Sequence, residues 1–251
     1  MIPILQIGPF ALPLAPFSIL LMFWLGLSLA EKFAPRRGIS ADALYGLTMT
    51  GLITGLIAAR IGFVFRYPGA FLESPLSLFS LNPGLLDPFS AISAALVGML
   101  VYGQRARMHF WNALDVLTPL LAMIAVGIAL SHIASGEAFG AETNLPWGIE
   151  LWGAMRHPAQ FYELVANVSI LLFLGWKTQK SIHTGTLFLS FLGLQAGTRL
   201  FLETYRGDSS LILGEFRSAQ ILAWVILAAA FMGLEWIKKT QVYYQKEPDH
   251  G

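Results

Sequence analysis

The chain has no cysteine, so disulfides, thiolate chemistry and cysteine-ligated metals are excluded from its own side chains. Charge is scarce as well. Asp, Glu, Lys and Arg make up 12% of the 251 residues, where a soluble domain carries roughly 25%. No basic block is long enough to hold nucleic acid, and a formal net charge of +1 selects no partner. There is no Gly-x-Ser-x-Gly elbow, phosphate loop or dinucleotide fingerprint. The five histidines, at 109, 132, 157, 183 and 250, lack metal-ligand spacing, so no metal or other cofactor is implied. Met1-Ile2-Pro3-Ile4-Leu5 has no basic region ahead of its apolar stretch, and a cleaved signal peptide is not expected.

What the chain does have is apolar length. Hydrophobic residues make up 55% of it and the mean hydropathy is +0.62. Several apolar runs approach the 20 residues that a bilayer core requires. The pattern predicts an all-α, polytopic membrane protein forming one integral domain over 1–251. Seven spans are expected, at about 15–30, 44–65, 89–102, 113–133, 160–176, 185–205 and 219–237. The turns after spans one, three and five and the tail after span seven hold Lys32, Arg36, Arg37, Arg105, Arg107, Lys177, Lys180, Lys238, Lys239 and Lys246. The opposite loops hold Arg66, Arg156, Arg206 and Arg217. Basic loops stay cytoplasmic, so the N-terminus is expected outside and the C-terminus in the cytoplasm. The outward loops, 67–88 and 135–157, are the long ones, rich in Gly, Pro, Phe and Trp. Phe71-Leu72-Glu73-Ser74-Pro75-Leu76 reads as a short interfacial piece.

Against this background the polar residues stand out, because ionisable groups at membrane depth are costly and mark function or pairing. Arg156-His157-Pro158-Ala159-Gln160-Phe161-Tyr162-Glu163 places two cationic or titratable groups, an amide, a phenol and a carboxylate just ahead of an apolar run. Thr198-Arg199-Leu200-Phe201-Leu202-Glu203-Thr204-Tyr205-Arg206-Gly207-Asp208 repeats the theme. Arg199 and Glu203 are four apart and share a helix face, with Arg206 continuing it outward. Gln195 and Thr198 lie on or near that face. A guanidinium fork steadied by a carboxylate suits a phosphate, although the same pair can simply neutralise itself and join two helices. Glu163 is also favourable at a helix start by charge–dipole attraction alone. Arg60 lies near the outer end of span two among Gly51, Gly55, Ala58 and Gly62, which permit close helix contact. His132 and Glu137 close span four, and a histidine there can act as a base or serve only in packing.

These residues resemble the bacterial prolipoprotein diacylglyceryl transferase family along nearly the whole chain. The resemblance runs from Ile7-Gly8-Pro9 through Ala59-Arg60-Ile61-Gly62-Phe63-Val64 and Asp115-Val116-Leu117-Thr118-Pro119-Leu120. It continues in Ser135-Gly136-Glu137, Leu145-Pro146-Trp147-Gly148 and the two polar stretches, and ends at Ser218-Ala219-Gln220-Ile221-Leu222. It implies seven spans in the bacterial inner membrane. It also implies transfer of a diacylglyceryl group from phosphatidylglycerol, or another anionic phospholipid, to the lipobox cysteine of a preprolipoprotein. By resemblance, Arg199, Glu203, Arg206 and Glu137 line the cavity. Arg60, Arg156, His157, Gln160, Tyr162 and Glu163 are expected to contact lipid or phosphate, and Arg199, Glu203 and His132 to serve the reaction. The chain departs from the family pattern at Ser93-Ala94-Ala95, where a histidine and two glycines are usual. It departs again at Ala129 and His132, where an arginine and an asparagine are usual. The departures leave a second reading open: a non-catalytic relative that keeps the lipid-binding fold within a complex of other membrane subunits.

Overall fold

The computed structural model describes residues 4–7, 10–73, 75–79, 83–178, 183–209, 211–212 and 216–246. Gly8, Pro9, Ser74, Lys180 and His250, which enter the sequence reading, lie outside the described residues. Among the described residues, seven helices of 17 residues or more dominate: α1 (Leu14–Phe33), α2 (Ala41–Arg66), α4 (Pro88–Arg105), α5 (Phe110–Ser135), α6 (Ala159–Thr178), α7 (Thr186–Leu202) and α8 (Ser218–Lys246). Among the described residues, α1, α2, α5, α6 and α8 are long and apolar enough to cross a membrane, and the chain reads as a multi-pass membrane protein. The helices occupy the expected segments, with two corrections. The third runs past its apolar stretch at both ends: Asp87 caps its start by accepting the Ser90 N–H at 2.8 Å, with Pro88 in the first turn, and Gly103, Gln104 and Arg105 continue it beyond the apolar run. The sixth stops at Leu202, and Glu203–Tyr205 tightens into a 3-10 turn.

The chain divides into two compact units, 34–113 and the remainder. In the first, α2 packs on α4 through small residues. A Cβ on Gly55 would stand 3.1 Å from the Ala91 carbonyl oxygen and 3.2 Å from the Ala95 methyl, so the backbones approach more closely than larger side chains permit. The segment between α2 and α4 carries a short helix, α3 (Pro68–Glu73), and two 3-10 turns, Pro75–Phe79 and Pro83–Leu85.

In the other unit, α1 and α5 meet at glycines. A Cβ on Gly26 would stand 2.8 Å from the Met123 Cβ, and Ser18 donates to the Gly127 carbonyl at 3.2 Å. The helix α7 packs on both α6 and α8. Its N-terminus opens on Gly185, at φ +83°, which offers no side-chain cap. The cap arrives from α5 instead: the fully buried Asp115 carboxylate accepts the N–H of Gly185 at 2.8 Å and of Phe188 at 3.0 Å. Among the described residues, three short antiparallel strand pairs were not foreseen: β1–β2 (Ile4–Ile7, Phe10–Pro13), β3–β4 (Ile149–Leu151, Ala154–Arg156) and β5–β6 (Leu211–Ile212, Phe216–Arg217). Bridges from Gly140 to Arg206 and from Glu142 to Arg156 stitch the segment after α5 to the two polar stretches.

Candidate functional site

A small cavity of about 50 Å³ opens among Ala138, Ala159, Glu163, Asn167, Gln195, Thr198, Arg199, Leu202 and Arg206. That is space for a few waters, or for one polar group of a ligand. Its polar wall is built by helix periodicity. Glu163 and Asn167 are four apart on α6, and Gln195, Thr198 and Arg199 fall on one face of α7. Arg206 reaches the same space by another route. It lies past the end of the helix, in extended backbone at φ −82°, ψ 139°, and so does not continue the helical face as the spacing suggested.

The Arg199 Nε forms an ion pair with Glu203 Oε2 at 3.0 Å. The Glu203 side chain is 2% exposed, while that of Arg199 is 41% exposed. The carboxylate therefore lies beneath the guanidinium as a buried charge partner, with Oε2 outside hydrogen-bond geometry, and both Nη groups have no partner among the described residues. Arg206 is more fully engaged, with Nε and Nη2 donating to Asp208 at 2.9 and 2.7 Å. Arg217 braces the turn by donating to the backbone carbonyls of Glu203 and Arg206 and to Ser209 Oγ.

Glu163 faces His132 across α5 and α6, with Oε2 2.9 Å from Nδ1 and each side chain 21% exposed. Since Nδ1 engages the carboxylate, Nε2 is the ring nitrogen left over, and it has no partner among the described residues. Asn167, at i+4 from Glu163, is the polar cavity residue that the sequence reading did not name. It donates Nδ2 to the Ala125 carbonyl at 3.1 Å and accepts Gln195 Nε2 on Oδ1 at 2.9 Å.

Of the predicted site residues, the cavity thus gathers Glu163, Arg199 and Arg206 directly, with His132 and Glu203 one contact behind. The others lie elsewhere. Arg156 commits all three guanidinium nitrogens to the segment between α5 and α6: Nε to the Leu151 carbonyl, Nη1 to that of Gly140 and Nη2 to Glu142, with Cζ 5.0 Å from the centre of the Phe139 ring. His157 packs edge-on against Tyr205 at 5.2 Å, and Tyr162 accepts the Trp147 Nε1–H at 2.9 Å. Gln160 is fully buried and donates to the Glu137 carbonyl at 3.1 Å, while the Glu137 side chain itself is exposed. Arg60 belongs to the 34–113 unit, where it donates to the Leu85 carbonyl at 2.9 Å. Ala129 is completely buried in α5, and Ser93 is exposed on α4.

A second, largely apolar groove of about 810 Å³ runs between α1, α5, the β3–β4 hairpin and the start of α6. Its walls include Phe17, Leu21, Met22, Leu130 and Ile133. The two helices forming it are apolar enough to span a bilayer.

The sequence model of the prolipoprotein diacylglyceryl transferase family matches residues 3–236. Three similar proteins are each named phosphatidylglycerol–prolipoprotein diacylglyceryl transferase. The one from Synechocystis sp. is 31% identical, with 92% of this chain and 87% of that protein covered. The one from Aliivibrio salmonicida is 30% identical, with 96% and 89% covered. The one from Nostoc sp. is 27% identical, with 98% and 90% covered.

Proposed function

We propose, starting from the fact that the chain belongs to the prolipoprotein diacylglyceryl transferase family, that it is a phosphatidylglycerol-dependent diacylglyceryl transferase. Its acceptor is the cysteine thiol of a preprolipoprotein lipobox or a related peptide. It works at the outer face of the bacterial inner membrane, with seven spans, the N-terminus outside and the C-terminus in the cytoplasm. The observation that carries this reading is the Arg199 guanidinium, held at Nε by a buried carboxylate and leaving both Nη groups at a cavity that Arg206 also lines.

The chemistry follows from those groups. The two free Nη donors fit two oxygens of a phosphodiester, and Arg206 Nη1 adds a third donor. His132 Nε2, with the ring oriented by Glu163 at Nδ1, takes the thiol proton, since the thiolate is the nucleophile. The sulfur–carbon bond forms at the glyceryl carbon as the carbon–oxygen bond to phosphate breaks. Glycerol-1-phosphate leaves with that electron pair, and the arginines stabilise the growing negative charge. The apolar groove between α1 and α5 suits the acyl chains.

The runner-up is a non-catalytic relative holding anionic lipid as a subunit of a larger membrane assembly. The complete burial of Ala129 favours it, because the arginine usual there in the family pattern has no room to enter. An assay separates the two. Labelled phosphatidylglycerol and a lipobox peptide are incubated with the purified protein in detergent. Release of glycerol phosphate is expected, and Arg199→Ala removes a charge-assisted contact worth about 2–4 kcal/mol, roughly 10²–10³ in rate. Undiminished turnover in that variant would remove Arg199 from the mechanism. Bound lipid without turnover in the parent protein would favour the runner-up.

A further inference from the structure

The hydrogen-bond relay at the back of the cavity has only one possible polarity. A backbone carbonyl can only accept, so the Asn167 atom on the Ala125 oxygen must be Nδ2. This leaves Oδ1 toward α7, where it too can only accept, and the Gln195 atom facing it must be Nε2. The remaining Gln195 atom, Oε1, therefore has its identity fixed from two helices away. Gln195 lines the cavity, and Oε1 has no partner among the described residues. Asn167 is 3% exposed, so rotating its amide would set a buried donor against a donor and a carbonyl against a carbonyl.

Beside that neutral acceptor the cavity is lined by two guanidinium groups, Arg199 and Arg206, and by the Glu163 carboxylate. A ligand that satisfies the acceptor and the guanidinium groups carries an anion and, a few bonds away, a hydrogen-bond donor. An ammonium also donates, but two guanidinium groups face one carboxylate in this space, and that carboxylate, Glu163, already engages His132 through Oε2, so charge favours a neutral donor. A hydroxyl fits. We propose that Gln195 is a specificity-determining residue that accepts a hydrogen bond from a head-group hydroxyl of the donor lipid, with Asn167 as the residue that orients it. This rests on the transfer reading above for the identity of the lipid, but the recognition itself is testable by binding alone.

The test compares phosphatidylglycerol with phosphatidylmethanol, which has the same phosphodiester and no hydroxyl. Both lipids are titrated onto the detergent-purified full chain by native mass spectrometry, with glycerol phosphate or methyl phosphate release followed in parallel. The parent protein is expected to favour phosphatidylglycerol about 5- to 15-fold, the size of one hydrogen bond to a half-buried acceptor. In Gln195→Met, of similar length without the amide, phosphatidylglycerol binding is expected to fall to the phosphatidylmethanol level while phosphatidylmethanol binding holds. Equal loss for both lipids, preference surviving in the variant, or no preference in the parent would each overturn the proposal. The parent comparison decides even if Gln195→Met does not fold. Selective binding without turnover upholds the recognition while sinking the transfer reading.

Discussion

Replacing Asp115 with alanine is expected to dislodge α7, the helix that carries Gln195, Thr198 and Arg199, although Asp115 sits at the opposite end of that helix from the cavity. The carboxylate is fully buried and accepts two backbone N–H groups, from Gly185 and Phe188. Gly185 brings no cap of its own, so both donors lose their charged partner at once. A hydrogen bond to a charged group is worth about 1.5–3 kcal/mol and a lost helix cap about 0.5–2 kcal/mol. These overlap rather than add, which gives a loss of roughly 2–4 kcal/mol for Asp115→Ala. At about 2–4 °C per kcal/mol for a chain of this size, the midpoint of unfolding falls by roughly 4–16 °C. Asp115→Asn keeps one carbonyl acceptor and should fall about half as far. With seven tryptophans in the chain, intrinsic fluorescence during heating in detergent reads the transition. A midpoint for Asp115→Ala within about 2 °C of the parent would refute the account of α7.

Two further predictions concern charge. His132→Ala and Glu163→Gln should each lower kcat, the first by about 10²-fold, and the double variant should be little worse than His132→Ala because the two act as one unit. Multiplicative losses in a kinetic double-mutant cycle would break that link. Asp87, in the loop before α4, has its carboxyl held below the usual carboxylate value by its hydrogen bonds from Ser90, with Arg66 adding a smaller pull. Its folded pKa lies under the ordinary 3.8, so its stabilising contribution is present above that value and is lost as pH falls through the folded one. The unfolding midpoint of Asp87→Asn should therefore trail the parent near neutrality and converge with it in acid. A gap that is constant with pH would contradict this.

The helical framework was legible because apolar periodicity and length are local properties, and α1, α2, α5, α6 and α8 follow them directly. The pair of Arg199 and Glu203 was legible for the same reason, since four residues on a helix fix a shared face. The sequence did not reveal where α7 ends. Arg206 was assigned to a helical face, yet the Glu203–Tyr205 turn releases it into extended backbone bridged to Gly140, a pairing between distant segments. The same limit applies to Arg156. Its neighbours in sequence suggested a phosphate ligand, but Gly140, Glu142 and Leu151 claim its fork. Asn167 is one polar residue in an apolar run, and the partners that give it a role, Ala125 and Gln195, come from other helices.

The burial of Ala129 bears on any attempt to re-engineer this chain. Its methyl group is sealed on every side, and a guanidinium grafted there would wedge neighbouring helices apart before it could reach a ligand. A single substitution to arginine at this position would not deliver a cation to the cavity. Placing one there would require its neighbours to shrink in the same step.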